Sequence, residues 1–254
     1  SETRLTALKF IEETASRMSM SLREAKKILN LLIREQYLCY HDMYGATYVE
    51  KNFLKPVQVT RHFILKPPGF SSTDDPDKKV ITIAQGISFG SGQHPTTRLC
   101  LKAIDYFIHE RRSLDFYDQL QSADIGTGSG VLALALVKCG FSSCCAYEID
   151  TVSVNEAKKN IEINKLDREI AVVDGLFVEK PAAYSMICAN LRYPTLMNLS
   201  QAVNASLSEK SGVILSGIRE WEKNEVISCY EKLGLTLVWQ EDLKKWSGLG
   251  FEKC

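Results

Sequence analysis

The sequence predicts an α/β protein: a doubly wound, mostly parallel sheet of seven strands, preceded by a small helical, winged-helix-like domain. Three observations carry that prediction. From residue 122 onward short apolar runs alternate with segments of helical period, the pattern of successive βαβ units. A glycine turn, Gly126-Thr127-Gly128-Ser129-Gly130, joins the first of those strands to a helix that is apolar nearly all round. Residues 1–55 lack this alternation and read as two amphipathic helices followed by a hairpin.

In chain order, Leu5, Leu8, Ile11, Ala15 and Met18 stripe one face of a helix over residues 3–20. Ser21 and Glu24 stand at capping-box spacing before a second helix that buries Leu22, Ala25, Ile28, Leu29, Leu32 and Ile33. Tyr37 to Tyr40 and Thr47 to Val49 then flank the polar loop His41 to Ala46 as a hairpin. The charges of this module are nearly balanced, which favours protein contact, and hence substrate recruitment, over nucleic-acid binding. Val57–Leu65 and Val80–Ala84 are strands around a proline-containing loop. Residues 56–85 are therefore expected to link the first domain to a larger one at 86–254.

The larger domain opens with a loop, Gly86 to Thr97, that runs into a helix marked by Leu99, Leu101, Ala103, Ile104 and Phe107. Thr96 and Thr97 fall in the first turn, where hydroxyls and free backbone N–H groups can take a carboxylate. His94 precedes Pro95 directly and is expected to fix the loop rather than act as a base. Ala123–Ile125 is a strand, Leu132–Val137 a buried helix stopped by Gly140, and Cys144–Tyr147 a second strand with Glu148 and Asp150 at its carboxyl end. Helices then follow at 152–164, 193–207 and 219–233, with strands at 170–173, 184–189 and 213–216. Residues 235–240 and 246–252 pair as a final antiparallel hairpin. Asp124, Glu148, Asp174 and Asn190 all fall at carboxyl ends of strands, the edge where open α/β sheets bind ligands.

The glycine spacing bears on the ligand. A dinucleotide site needs G-x-G-x-x-G, and Val131 occupies the third glycine's place here. D-x-G-x-G-x-G with an acid 18 residues past Gly130 suits S-adenosylmethionine better. That ligand carries no phosphate, and its ribose diol would meet Glu148.

Composition narrows the partners. The 254 residues carry 31 basic and 31 acidic side chains, so bulk charge recruits no polyelectrolyte. No apolar run reaches the ~18 residues of a membrane span, and SETRLTALKF reads as charged and amphipathic rather than as a signal sequence. Eight cysteines without a C-x-x-C pair point to buried free thiols in a reducing cytoplasm. Four scattered histidines give no metal-ligand spacing, so no metal is expected.

The segments FGSGQHPTTRLCL (89–101), DIGTGSGVLALAL (124–136), ANL (189–191) and LSGI (215–218) resemble the class I, Rossmann-like S-adenosylmethionine-dependent methyltransferases. More narrowly, they resemble the bacterial family that methylates the eleventh protein of the large ribosomal subunit. The resemblance covers about residues 57–254. It implies that Thr97, Gly126, Glu148 and Asn190 bind the cofactor and that Asn190 also faces the acceptor amine as the catalytic residue. With the edge position and the turn, the expected cofactor-binding set is Thr97, Asp124, Gly126, Gly128, Gly130, Glu148, Asp174 and Asn190. The family usually has aspartate at the position of Glu148 and small residues where Arg192 and Tyr193 stand.

The implied reaction is methyl transfer to a protein amine, most simply on a large-subunit ribosomal protein. Two other readings compete. An RNA or small-molecule acceptor would need basic residues around the pocket mouth. A non-catalytic cofactor-binding module would have to explain intact glycines and Asn190.

Overall fold

The computed structural model describes residues 5–35, 37–43, 46–51, 55–70, 75–84, 94–111 and 120–253. The chain divides into two compact units, Ser1–Pro56 and Val57–Cys254.

The first unit comprises β1 (Leu5–Thr6), α1 (Ala7–Arg17), α2 (Leu22–Arg34), β2 (Leu38–Met43) and β3 (Ala46–Lys51), with the sheet order β1-β3-β2. The helix expected from residue 3 begins at Ala7. Leu5 and Thr6 instead pair with Val49 and Tyr48, and the Thr6 hydroxyl caps the helix by accepting the Lys9 N–H. The capping box of α2 is present: Glu24 N–H donates to Ser21 Oγ, and Ser21 N–H donates to the Glu24 carboxylate at 2.9 Å. Ala25 and Leu29 are the buried residues of that helix. The antiparallel hairpin pairs Leu38 with Lys51 and Met43 with Ala46.

The second unit begins with a small sheet of β4 (Val57–Gln58), β5 (Phe63–Lys66) and β6 (Lys79–Thr82) in that order. The strands expected as a linker thus pack within the larger unit. Phe63, Leu65 and Ile81 are fully buried. Two asparagines of α5 (Thr151–Ile163) and its C-terminal cap hold the chain here: the Asn160 and Asn164 side chains accept the Ala84 and Thr82 N–H groups at 2.9 and 3.0 Å.

The rest follows the predicted alternation. Its helices are α3 (Pro95–Asp105), continued by a π-helical turn at Tyr106–Arg111, α4 (Val131–Lys138), α5, α6 (Tyr193–Ser206) and α7 (Lys223–Lys232). Its strands are β7 (Gln121–Ile125), β8 (Ser143–Glu148), β9 (Ile170–Asp174), β10 (Tyr184–Asn190), β11 (Leu207–Arg219), β12 (Leu235–Leu243) and β13 (Trp246–Lys253). They form one seven-stranded sheet in the order β12-β13-β11-β10-β7-β8-β9. Every pairing from β9 to β11 is parallel, and β13 is antiparallel to both of its neighbours. The order reverses between β7 and β10, which makes their carboxyl ends the switch point of the fold.

Burial explains the central helix: every residue of α4 from Val131 to Leu136 is buried, because the helix packs against the sheet, α3 and α5. Cys100, Cys139, Cys144, Cys145, Cys188 and Cys229 are free thiols, and all but Cys145 and Cys229 are buried. Burial pushes the Cys139 thiol up to about 12. No helix among the described residues is long and apolar enough to cross a membrane.

The helix expected from Arg219 begins only at Lys223. β11 runs on because its ladder with β13 continues past a bulge to Ile218↔Ser247 and Arg219↔Trp246, where the Arg219 guanidinium lies 3.6 Å from the Trp246 ring centroid. The bulge needs Gly217. Its φ is +86°, and a Cβ there would stand 2.1 Å from the Leu191 carbonyl oxygen. Gly234, which follows α7, has the same kind of backbone (φ +87°) with open space around it. Gly234→Ala is expected to cost only the left-handed strain, about 1–2 kcal/mol. Gly217→Ala adds a backbone collision and is expected to cost at least ~3 kcal/mol. Urea unfolding of the two variants checks the difference.

Candidate functional site

The turn after β7 is built by glycines in a backbone region that side chains avoid: Gly126, Gly128 and Gly130 have φ of +71°, +55° and +83°. The Gly126 and Thr127 N–H groups donate to the Tyr147 carbonyl at 2.9 and 3.0 Å, tying the turn to β8. Gly130 enters α4 close to Ala157 of α5, whose Cα would lie 3.5 Å from an added Cβ.

Asp124 does not project toward the crevice. It is fully buried, and its Oδ2 accepts the Thr127 hydroxyl at 2.6 Å and the Ala133 N–H at 3.1 Å. It therefore holds the two ends of the turn from beneath. Its Oδ1 is buried without a hydrogen-bond partner.

Glu148 ends β8 and flanks the turn on one side. Its Oε2 accepts the Gly128 N–H at 2.9 Å, and its Oε1 accepts the Ile149 and Asp150 N–H groups at 2.9 and 3.1 Å. A carboxylate offers about four acceptor positions, of which the chain fills three and one on Oε2 stays open. Asp174, opposite Glu148 in the β8–β9 register, is exposed at the edge. Ile149, Val152, Leu176 and Val178 stand exposed next to these acids in the chain. This apolar surface was not anticipated, although its signal was in the sequence as apolar residues just after acids at a strand end.

Asn190 flanks the turn on the other side. Ala189 is level with Ile125 in the parallel register, so Asn190 and Gly126 lie one residue further along adjacent strands. The Asn190 Oδ1 is buried with no hydrogen-bond partner. Leu191 comes next, and a Cβ on Gly126 would meet its Cδ2 at 2.4 Å. Leu191 and Gly217 are thus structural parts of the site that motif matching alone left without a role.

Thr97 lies in the first turn of α3, which packs on β10, β11 and β13. The residue is fully buried and its Oγ1 has no partner. His94 is the N-cap: its Nδ1 accepts the Thr96 N–H at 3.3 Å and lies 2.8 Å from the Thr96 hydroxyl. That is a structural role, as its position before Pro95 suggested. Gly86, Gly90 and Gly92 lie outside the described residues.

Burial pushes the Asp124 carboxyl up from its ordinary 3.8 to about 6, against the lowering effect of Thr127 and Ala133. The folded protein then binds this proton more tightly than the unfolded chain. The group's contribution to stability is full below about pH 4 and is lost as pH rises through about 6. Asp124→Asn keeps a carbonyl acceptor for the turn and is expected to abolish that loss. Melting temperatures of both proteins across this window check it, and a difference independent of pH refutes it.

The family model for "Ribosomal protein L11 methyltransferase (PrmA)" matches residues 3–253. A protein of that name from Exiguobacterium sibiricum is 34% identical over 198 residues, 77% of this chain and 60% of the relative. One from Ruminiclostridium cellulolyticum is 32% identical over 208 residues, 80% of this chain and 63% of the relative. The chain therefore spans about three fifths of the length of these curated relatives. The crystal structure of a ribosomal protein L11 methylase from Lactobacillus delbrueckii subsp. bulgaricus superposes with a TM-score of 0.68 at 26% identity, covering 79% of this chain and 100% of the other.

Proposed function

The chain belongs to the ribosomal protein L11 methyltransferase family, and from that premise we propose that it transfers methyl groups from S-adenosylmethionine to amine nitrogens, of lysine or the N-terminus, on ribosomal protein L11. The observation that carries this reading is Asn190: a buried side-chain oxygen without a partner, beside a glycine turn at the switch point of a class I methyltransferase fold.

The residues fit the cofactor. Gly126, Gly128 and Gly130 leave the backbone of the turn bare for close approach. Glu148 keeps one acceptor position for a ribose hydroxyl. Ile149 and Leu176 offer apolar surface to the base, with Asp174 as a neighbouring acceptor. The unpartnered Thr97 hydroxyl and the first turn of α3 suit a carboxylate. Asp124 acts on the turn and through it on the ligand. When bound, S-adenosylmethionine supplies a methyl group on a sulfonium, a good leaving group.

Catalysis then needs an unprotonated amine held in line. A lysine amine, with an ordinary pKa of about 10.4, must first lose a proton, and a partly desolvated site favours that loss. Asn190 Oδ1 accepts an N–H of the neutral amine and orients the nitrogen lone pair. Being uncharged, it does not stabilise the ammonium form as a carboxylate would. The N-terminal unit, a helix-helix-hairpin module, recruits the protein substrate in this reading.

Methyl-labelled S-adenosylmethionine, incubated with this protein and separated ribosomal proteins and ribosomal RNA, is expected to label L11. Asn190→Ala is expected to lower kcat/KM by roughly 100-fold or more while cofactor binding, followed by calorimetry, weakens far less. Label in RNA alone would overturn the protein-substrate assignment.

A further inference from the structure

A second cluster of chemically active side chains lies at the other end of α3. Asp105 closes that helix, eight residues or about 12 Å along its axis from Thr97. His109 follows in the π-helical turn, a conformation that re-aims side chains and is frequent at functional sites. His62 enters from the turn before β5, where its backbone is fixed: its carbonyl accepts the Lys79 N–H at 2.6 Å, and the neighbouring Arg61 carbonyl accepts Lys78 Nζ at 2.6 Å.

His62 Nδ1 lies 2.6 Å from Asp105 Oδ1, and His109 Nε2 lies 3.6 Å from the same oxygen. The two imidazole rings stack with centroids 3.8 Å apart. One ligand atom from each residue falls within 4.8 Å of the other two. These side chains line a cavity of about 280 Å³ together with Arg61 and Glu110, roomy enough for an ion and its waters. A His–Asp hydrogen bond alone would account for His62 and Asp105. It would not account for His109, whose Nε2 is buried with no hydrogen-bond partner.

We propose that His62, Asp105 and His109 bind a divalent transition-metal ion, with Zn2+ as the best match to two imidazoles and a carboxylate. Tetrahedral ligands at 2.0–2.1 Å stand about 3.4 Å apart. The Asp105–His109 separation already fits, and the His62–Asp105 pair opens by about 0.8 Å as the ion takes the place of their hydrogen bond, with His62 neutral and its proton on Nε2. Solvent completes the coordination. Arg61 and Lys79 oppose a cation here, while Asp77 and Glu110 offset them. The ion ties the turn before β5 to the end of α3. Its role is a brace, remote from the methyl-transfer site, and spacing in the sequence gave no sign of it because His62 and Asp105 are 43 residues apart.

The test uses the full chain, freed of metal by a chelator and titrated calorimetrically with Zn2+, beside His62→Ala and His109→Ala. The cysteines provide competing sites, so the comparison with the variants is the readout. The wild type is expected to bind one additional ion per chain, to melt at a higher temperature with Zn2+, and to methylate at an unchanged rate. His109→Ala, which leaves the His62–Asp105 bond intact and is checked for folding by circular dichroism, is expected to bind at least about tenfold more weakly. Equal uptake by wild type and His109→Ala, or no binding by the wild type in excess Zn2+, overturns the proposal.

Discussion

The site rests on one packing constraint: Leu191 is clamped between two glycines. A side chain on Gly126 would strike Leu191 Cδ2 at 2.4 Å, and one on Gly217 would strike its carbonyl oxygen at 2.1 Å. The Leu191 N–H also donates to the Ser216 carbonyl at 3.0 Å. The ends of β7, β10 and β11 are therefore locked together, without room for a methyl group between them. Asn190 precedes Leu191 directly, so its position is set by contacts that belong to the backbone of three strands. A close-packed interior transmits small displacements instead of absorbing them. Substitution at Gly217 would thus reach Asn190 through Leu191 alone.

Against this fixed frame the polar groups divide into two kinds. Asp124 Oδ2, Glu148 Oε1 and Glu148 Oε2 are engaged with N–H or hydroxyl groups of the chain, and each bond shapes the turn. Thr97 Oγ1, Asn190 Oδ1 and the second oxygen of Asp124, Oδ1, are buried and unengaged. A buried polar atom without a partner costs about 1–3 kcal/mol, a cost that folding alone has no reason to retain. Such atoms belong where something else completes their hydrogen bonding. Of these, Thr97 and Asn190 are residues that resemblance assigns to the cofactor, and Asn190 also to the acceptor amine.

The sequence reveals what depends on local pattern. The apolar Leu132–Leu136 run, the glycine turn and the alternation of period 2 and period 3.6 specify the sheet, because burial on both faces leaves few other arrangements. It misses what depends on orientation or on distant partners. Asp124 reads as a ligand contact because it precedes the turn, yet the pleat directs it inward to Thr127 and Ala133. Arg219 and its neighbours have helical character, yet pairing with Trp246 extends the strand. Leu5 and Thr6 continue a helical stripe, yet Val49 and Tyr48 recruit them to a sheet. In the last two cases a contact far along the chain outweighs a local preference.

Glu148 shows how a small sequence change becomes geometry. Relative to aspartate, its additional methylene extends the carboxylate, and here one of its oxygens receives the Gly128 N–H across the crevice edge. The same carboxylate is held by two N–H groups of its own strand end. The acid and the glycine turn are consequently one rigid unit. A ligand hydroxyl meets an acceptor that is already oriented and needs little reorganisation on binding. The accompanying loss is one lone pair, which the Gly128 bond occupies. In the proposed reading the ribose is offered a single preorganised acceptor with apolar surface beside it, where a shorter aspartate without the Gly128 bond would leave more acceptor positions open at greater entropic cost.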